Sequence, residues 1–257
     1  MTTEISDPTE SPTARQDVPT KNFFQRLAGA LFAPAETFED IARKPDIVAP
    51  LILLIAIGYL TTFLVMPIMD WDAMANAQIE QMRAKNPNIT EADAERMVKM
   101  GMGMGKVMGW VGPFFAVIWW LIVAGVLLIA FRLFGGEGNF AQALSATLYA
   151  WLPLTLFSIV MAIVARARGS FDPTQAATMV KSNPAFLVDL KEQPVLFSLL
   201  SSFDLFTIWT IILLIFGFAA LSRLSKGKSA AVVISLWIVM LVIKVGFATL
   251  GAAMQKG

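Results

Sequence analysis

The sequence contains no cysteine and no histidine, and only 15% of its 257 residues are charged. The missing cysteine removes disulfides, thiol nucleophiles and haem attachment. The missing histidine removes the Ser-His and Cys-His hydrolase arrangements, and zinc sites built on Cys and His go with both. Net charge is +1, too small for a global basic field that would draw nucleic acid, so any electrostatics that matter are local. What remains is apolar. Hydrophobic residues make up 56% of the chain, and mean hydropathy is +0.66, whereas soluble domains average about 45–50% apolar and about 25% charged. This is the composition of an integral membrane protein.

A spanning helix needs about 20 apolar residues to cross a core of about 30 Å. Five stretches satisfy this: Val48 to Met69, Trp110 to Phe134, Ala141 to Ala165, Leu200 to Ser222 and Ala230 to Gly251. The expected fold class is an all-α bundle of five transmembrane helices with an amphipathic N-terminal region and two helix-containing outside loops. The chain divides into a polar tail over 1–20, an amphipathic juxtamembrane region over 21–47, the membrane domain over 48–251 and a short tail over 252–257. The first 20 residues, rich in Thr, Ser, Pro, Asp and Glu, carry no signal-peptide pattern and read as disordered. Arg43-Lys44 and the compact RLSKGK turn (Arg223 to Lys228) favour a cytoplasmic N-terminus by the positive-inside rule. An odd number of spans then puts the C-terminus outside, and a bacterial inner membrane is the expected location.

The short connections GGEGNF (Gly135 to Phe140) and Arg223 to Lys228 predict two antiparallel hairpins. The two outside loops are longer and carry helical signals. Thr90 and Asp93 form a capping-box spacing ahead of a methionine face, Met97, Met100, Met104 and Met108, and the helix so begun is expected to run into the second span. Asp172-Pro173 and Asn183-Pro184 each read as an N-cap followed by proline at the first helical position. Before the first span, Phe23, Phe24, Leu27, Leu31 and Phe32 make an interfacial helix, and Pro34 to Arg43 a second short helix with acids early and bases late, matching the helix dipole. The expected role is a collar around the bundle. Pro67, Pro113 and Pro153 mark expected kinks, and Trp71 and Trp110 an aromatic belt.

Two ionisable residues fall inside the expected spans, Asp204 and Lys244. A charge at membrane depth needs a partner or a function. Asp204 lies about 6 Å and Lys244 about 9 Å below the same surface by helical rise, so a buried ion pair is expected, acting as a register lock or as part of a relay. In MGMGMGK (Met100 to Lys106) the glycine run lies in a helical pattern rather than after a strand, which argues against a phosphate cradle. The methionines alone are a poor copper site. Gly101, Gly105 and Gly109 recur every four residues and are expected to admit a neighbouring helix closely. Asp70, Asp72, Glu91, Asp93 and Glu95 alternate with bases as a solvated face does. No catalytic residue, metal site or cofactor is expected.

Several segments together resemble the Yip (Ypt-interacting protein) family of five-span membrane proteins, over roughly Phe24 to Gly251. FAPAETFEDIARKPDIVAPL (Phe32 to Leu51) is similar to the family's Pro-x-x-x-Phe juxtamembrane helix. FGGEGNFAQALSATLYAWLP (Phe134 to Pro153) is similar to its glycine turn and small-residue helix bearing a Tyr and a Pro, and SSFDLFTIW (Ser201 to Trp209) to its Asp-containing fourth-span start. The resemblance implies the five-span fold and a membrane location. Eukaryotic relatives act in vesicle traffic through Rab-type GTPases, but the aromatic DLYGP-like motif of those members is absent here. The function expected is a non-enzymatic membrane scaffold or partner-binding protein, against the alternative of a small transporter or channel built on Asp204 and Lys244. Its partners would be membrane lipids, with membrane or cytoplasmic proteins or a second copy of the chain, and no nucleic acid.

Overall fold

A computed structural model describes residues 20–173, 176–190 and 192–256. The expected tail over 1–20 lies, but for its last residue, outside the described residues. The described chain is helical, with no strand beyond one isolated bridge between Met69 and Phe171. Five of its helical stretches are long and apolar enough to cross a membrane: Val48–Ile68, Glu91–Leu133, Phe140–Arg168, Leu205–Ser222 and Lys226–Ala253.

Two short helices come first, α1 (Phe23–Phe32) and α2 (Pro34–Arg43). Asn22 and Gln25 exchange side-chain and backbone hydrogen bonds in a full capping box at the start of α1. The first span, α3 (Val48–Val65), ends in a 3-10 turn over Met66–Ile68 that contains Pro67. Helix α4 (Trp71–Lys85) and the 43-residue α5 (Glu91–Leu133) follow. At 1.5 Å per residue α5 is about 65 Å long, twice the bilayer core, so its first half extends beyond the span as expected. That half pairs with α4: Lys106 stands over the Trp71 ring at 5.2 Å, and Arg83 meets Glu91 at 3.9 Å. At the start of α5 the Thr90 hydroxyl accepts from the Asp93 N–H and donates to the Asp93 carboxylate.

The third span is two helices, α6 (Phe140–Ala150) and α7 (Leu152–Arg168), with Pro153 in the first turn of α7, where the missing N–H costs nothing. Pro113 lies within α5, against Gly58 of α3. Beyond α7 come α8 (Ala176–Met179), a 3-10 turn over Pro184–Leu187 and α9 (Pro194–Leu200). Asn183 caps the 3-10 turn, accepting from the Ala185 N–H at 3.0 Å, so this Asn-Pro pair starts a tight turn rather than an α-helix. The piece starting at Pro194 was not expected. The last spans are α10 (Leu205–Ser222) and α11 (Lys226–Lys256); α11 continues through the described part of the expected tail.

The core lies where α2, α6 and α10 meet. Phe38, Phe131, Tyr149, Leu213 and Phe218 are fully or almost fully buried there. A Cβ on Gly217 would lie 3.1 Å from Phe38 Cδ1 and 3.2 Å from Ala146 Cβ, so the bare backbone of α10 is what admits the Phe38 ring. In the most apolar stretches of the α3 and α11 spans only 6% and 11% of residues are buried, against 44% for α6–α7 and 39% for α10. The outer two helices therefore present most of their apolar surface to lipid.

The two hairpin tips meet at one end of the bundle. The Glu137 N–H donates to the Ser222 carbonyl at 3.0 Å, and Arg223, in the left-handed region at φ 58°, pairs with Glu137 at 3.2 Å. Both charges are exposed, so the backbone bond and not the ion pair ties the tips. Gly138 has φ +108°, and a Cβ there would lie 2.7 Å from Leu221 Cδ1. Gly138→Ala is expected to destabilise the protein by about 1–3 kcal/mol. Gly135→Ala, at φ +79° with open space around it, should cost about 1 kcal/mol or less. Thermal unfolding in detergent checks both, and equal effects would show that the contact with Leu221 is unimportant.

Candidate functional site, a buried polar lock beneath the collar

Helices α1 and α2 are amphipathic, but each carries one charge on its inner face. Arg26 follows Phe23 by three residues and precedes Ala30 by four, and Asp40 lies between the buried Phe38 and Ile41. Their side chains are 5% and 2% exposed, and Arg26 Nε donates to Asp40 Oδ2 at 2.8 Å. The Lys21 N–H reaches the same oxygen at 3.3 Å, and Arg43 Nη2 lies 3.7 Å from Asp40 Oδ1. Lys21 Nζ donates to Thr37 Oγ1 at 3.1 Å and pairs with Glu36 at 3.2 Å. A charge-assisted contact so removed from water is strong, and each partner is costly to leave alone.

The segment between α2 and α3 is held by one stripe of α6. Gln142, Ser145 and Tyr149, spaced three and four apart, lie on one helical face. Gln142 Nε2 donates to the Ala42 carbonyl at 2.7 Å, the Ser145 hydroxyl donates to the Asp46 carbonyl at 2.8 Å, and the Tyr149 hydroxyl donates to Asp46 Oδ2 at 3.1 Å. Ser145 Oγ also accepts the Asp46 N–H at 3.1 Å. These groups dock the collar on the bundle and fix the chain's path into α3. Among the described residues no group of three His, Cys, Asp or Glu side chains could hold a metal.

The interfacial helix divides accordingly. Phe23, Leu27 and Leu31 pack on the core, whereas Phe24 and Phe32 remain 77% and 81% exposed.

Asp204 and Lys244 do not form the expected ion pair. Asp204 is the N-cap of α10: Oδ1 accepts from the N–H groups of Phe206 at 2.9 Å and Thr207 at 3.3 Å, and Oδ2 accepts from the Ser182 hydroxyl. Lys244 Nζ donates to Ser201 Oγ at 2.9 Å and Ser202 Oγ at 2.8 Å. The physical reason is that each charge finds partners of its own. Helix α10 starts after Asp204, and α11 starts at Lys226, four residues before the expected Ala230, so Lys244 stands about 27 Å along it. Asp204 serves the N–H groups at the start of α10 and the Ser182 hydroxyl, while Lys244 is held by the two serines just before that start, so neither charge depends on the other.

Of the packing glycines, a Cβ on Gly105 would lie 3.7 Å from the Trp71 ring and one on Gly109 would meet the Met66 side chain, but one on Gly101 would have nothing within 4 Å. Gly101 lies in the protruding half of α5, where α4 runs alongside between Glu91 and Lys106, but it faces open space. Met97, Met100, Met104 and Met108 are exposed. The acids grouped as a solvated face serve locally: Asp70 caps α4 through the Ala73 N–H at 2.9 Å, and Glu91 meets Arg83.

Sequence reasoning passed over Arg26, Asp40, Asp46, Ser145 and Tyr149. The signal for the first two was available, a charge at a core position of an amphipathic helix.

Five apolar helices of spanning length around one packed core, with two short helices docked at one end, define an all-helical integral membrane protein. The model of the Yip1 domain matches residues 28–247, and the chain belongs to that family. It is similar to membrane protein YknW of Bacillus subtilis (strain 168), with 26% identity over 205 residues, covering 78% of this chain and 80% of that one. No solved structure matches it.

Asp40→Ala leaves Arg26 buried without its carboxylate and is expected to cost about 3–5 kcal/mol. The double variant Arg26→Met with Asp40→Leu should recover most of that loss. Asp204→Ala should cost only about 1 kcal/mol, as for a lost N-cap. Thermal unfolding in detergent measures all three, and an Asp40→Ala protein as stable as wild type would show that the pair holds nothing.

Proposed function

We propose that the protein is a non-enzymatic membrane scaffold, set in a bacterial cytoplasmic membrane with its N-terminus in the cytoplasm, whose docked collar meets lipid and protein partners. The observation that carries this reading is the division of α1: its inner face packs on the core and Arg26 is taken up by Asp40 of α2, while Phe24 and Phe32 point away, 77% and 81% exposed. A helix held rigidly with two aromatic side chains outward suits insertion to about 5–10 Å in the headgroup region. The orientation is supported by the bases at that end, Arg43, Lys44, Arg223, Lys226 and Lys228, which the positive-inside rule associates with the cytoplasm. The transporter reading depended on an Asp204-Lys244 pair inside the membrane. Their separate partners weaken that support.

The chain has no cysteine, so single spin-labelled Phe24→Cys and Phe32→Cys variants can be made directly. In reconstituted vesicles both labels should be quenched by lipid-soluble oxygen more than by a water-soluble nickel chelate, and a label at Lys44→Cys should show the reverse. Water-like quenching at positions 24 and 32 would sink the lipid-facing collar. In the same vesicles, ion flux above the protein-free level that Asp204→Asn or Lys244→Gln abolishes would sink the scaffold.

A further inference from the structure

Outside the lock, one cavity has chemistry that nothing above uses. It measures about 250 Å³, is partly open to the surface, and lies between α2 and the hairpin of α10 and α11. Ala35, Phe216, Ala219 and Leu224 make its apolar walls, and Glu39 and Lys226 stand on its lining. Both charged residues are exposed, and neither makes an ion pair among the described residues. Lys226 instead stands over the Phe216 ring at 4.9 Å, which holds its ammonium against the apolar wall. Two opposite charges thus share one small cavity without neutralising each other.

We propose that this cavity binds the headgroup of an aminophospholipid, with its phosphate on Lys226 and its primary ammonium on Glu39. The occupant follows from charge, size and depth. A simple anion would face the Glu39 carboxylate, and a simple cation the Lys226 ammonium, whereas a zwitterion with a phosphate and an ammonium two carbons apart matches both. A primary ammonium also donates hydrogen bonds to the carboxylate, which a quaternary ammonium cannot do. The volume is below the roughly 300–1,000 Å³ of pockets for drug-sized ligands, consistent with a headgroup whose chains remain outside. The site lies at the last turn of α10 and the first of α11, each the end of a helix able to span, and so at headgroup depth. The apolar walls suit the glycerol and upper acyl carbons. This inference requires the membrane location but not the scaffold reading.

The test is native mass spectrometry of the delipidated full chain in detergent, titrated with phosphatidylethanolamine, phosphatidylcholine and phosphatidylglycerol. Wild type should bind phosphatidylethanolamine most tightly. Glu39→Gln should erase its preference over phosphatidylcholine, a loss of roughly tenfold, as expected for one charge-assisted hydrogen bond. Lys226→Gln should weaken all three lipids by roughly tenfold, because each presents a phosphate. Both substituted residues are exposed, and size-exclusion profiles confirm that the variants fold. Equal binding of the three lipids by wild type, tighter binding of phosphatidylglycerol, or an unchanged preference in Glu39→Gln would overturn the proposal. Competition by soluble O-phosphoethanolamine as strong as by the lipid itself would also overturn it, by showing a free headgroup to be the ligand.

Discussion

The pairing of Arg26 with Asp40 is the contact on which the collar end depends. Two short helices of ten residues each are too brief to be stable alone in water, so they need the bundle to hold them. Their apolar residues supply attraction, but apolar contact has little direction. The buried pair adds direction, because an Arg26 displaced from Asp40 would be a desolvated charge without a partner. With that pair made, Phe38 reaches the bare backbone at Gly217, and the path of the chain toward α3 is set.

The stripe of Gln142, Ser145 and Tyr149 extends the same logic into the bundle. Gln142 meets the last turn of α2, and Ser145 and Tyr149 meet Asp46 in the segment that leads into α3, so the first span is positioned from its start by the third. The hairpin tips close the arrangement through the Glu137 to Ser222 backbone bond. The collar, the first loop of the bundle and the two tips thus form one connected end. At the opposite end a short cluster of Met161, Ala165 and Met179 lies under the loop, Phe171 is joined by its N–H to the Ile68 carbonyl, and the Leu205 N–H donates to the Ser182 carbonyl. At both ends polar contacts gather where irregular chain passes between helices and its backbone groups must be satisfied.

Much of the fold was readable in the residues. The five spans follow from runs of apolar residues, the hairpins from their short glycine-bearing or basic turns, and the long α5 from the Thr90 cap and the methionine periodicity. The candidate site was read less well. Asp204 and Lys244 drew notice because a charge in an apolar run stands out, yet α10 starts only at Leu205, which makes Asp204 its cap, and Lys244 meets Ser201 and Ser202 instead. Arg26 and Asp40 drew none, because in a segment already mixed in polarity one more charge looks ordinary. Gly101 shows the converse: its spacing is identical to that of Gly105 and Gly109, but it faces open space.

Composition and periodicity by themselves determined that the chain is an apolar helical protein of the membrane, how many helices can cross, and which enzyme chemistries lack the side chains they need. These are properties of a segment and of its solvent, and a segment carries them wherever it packs. Which charges are buried, which glycines face a neighbour and what shares the cavity beside α2 were decided only by the tertiary structure. Burial and pairing depend on what another part of the chain brings alongside, and for Asp46 and Tyr149 that part is about a hundred residues away.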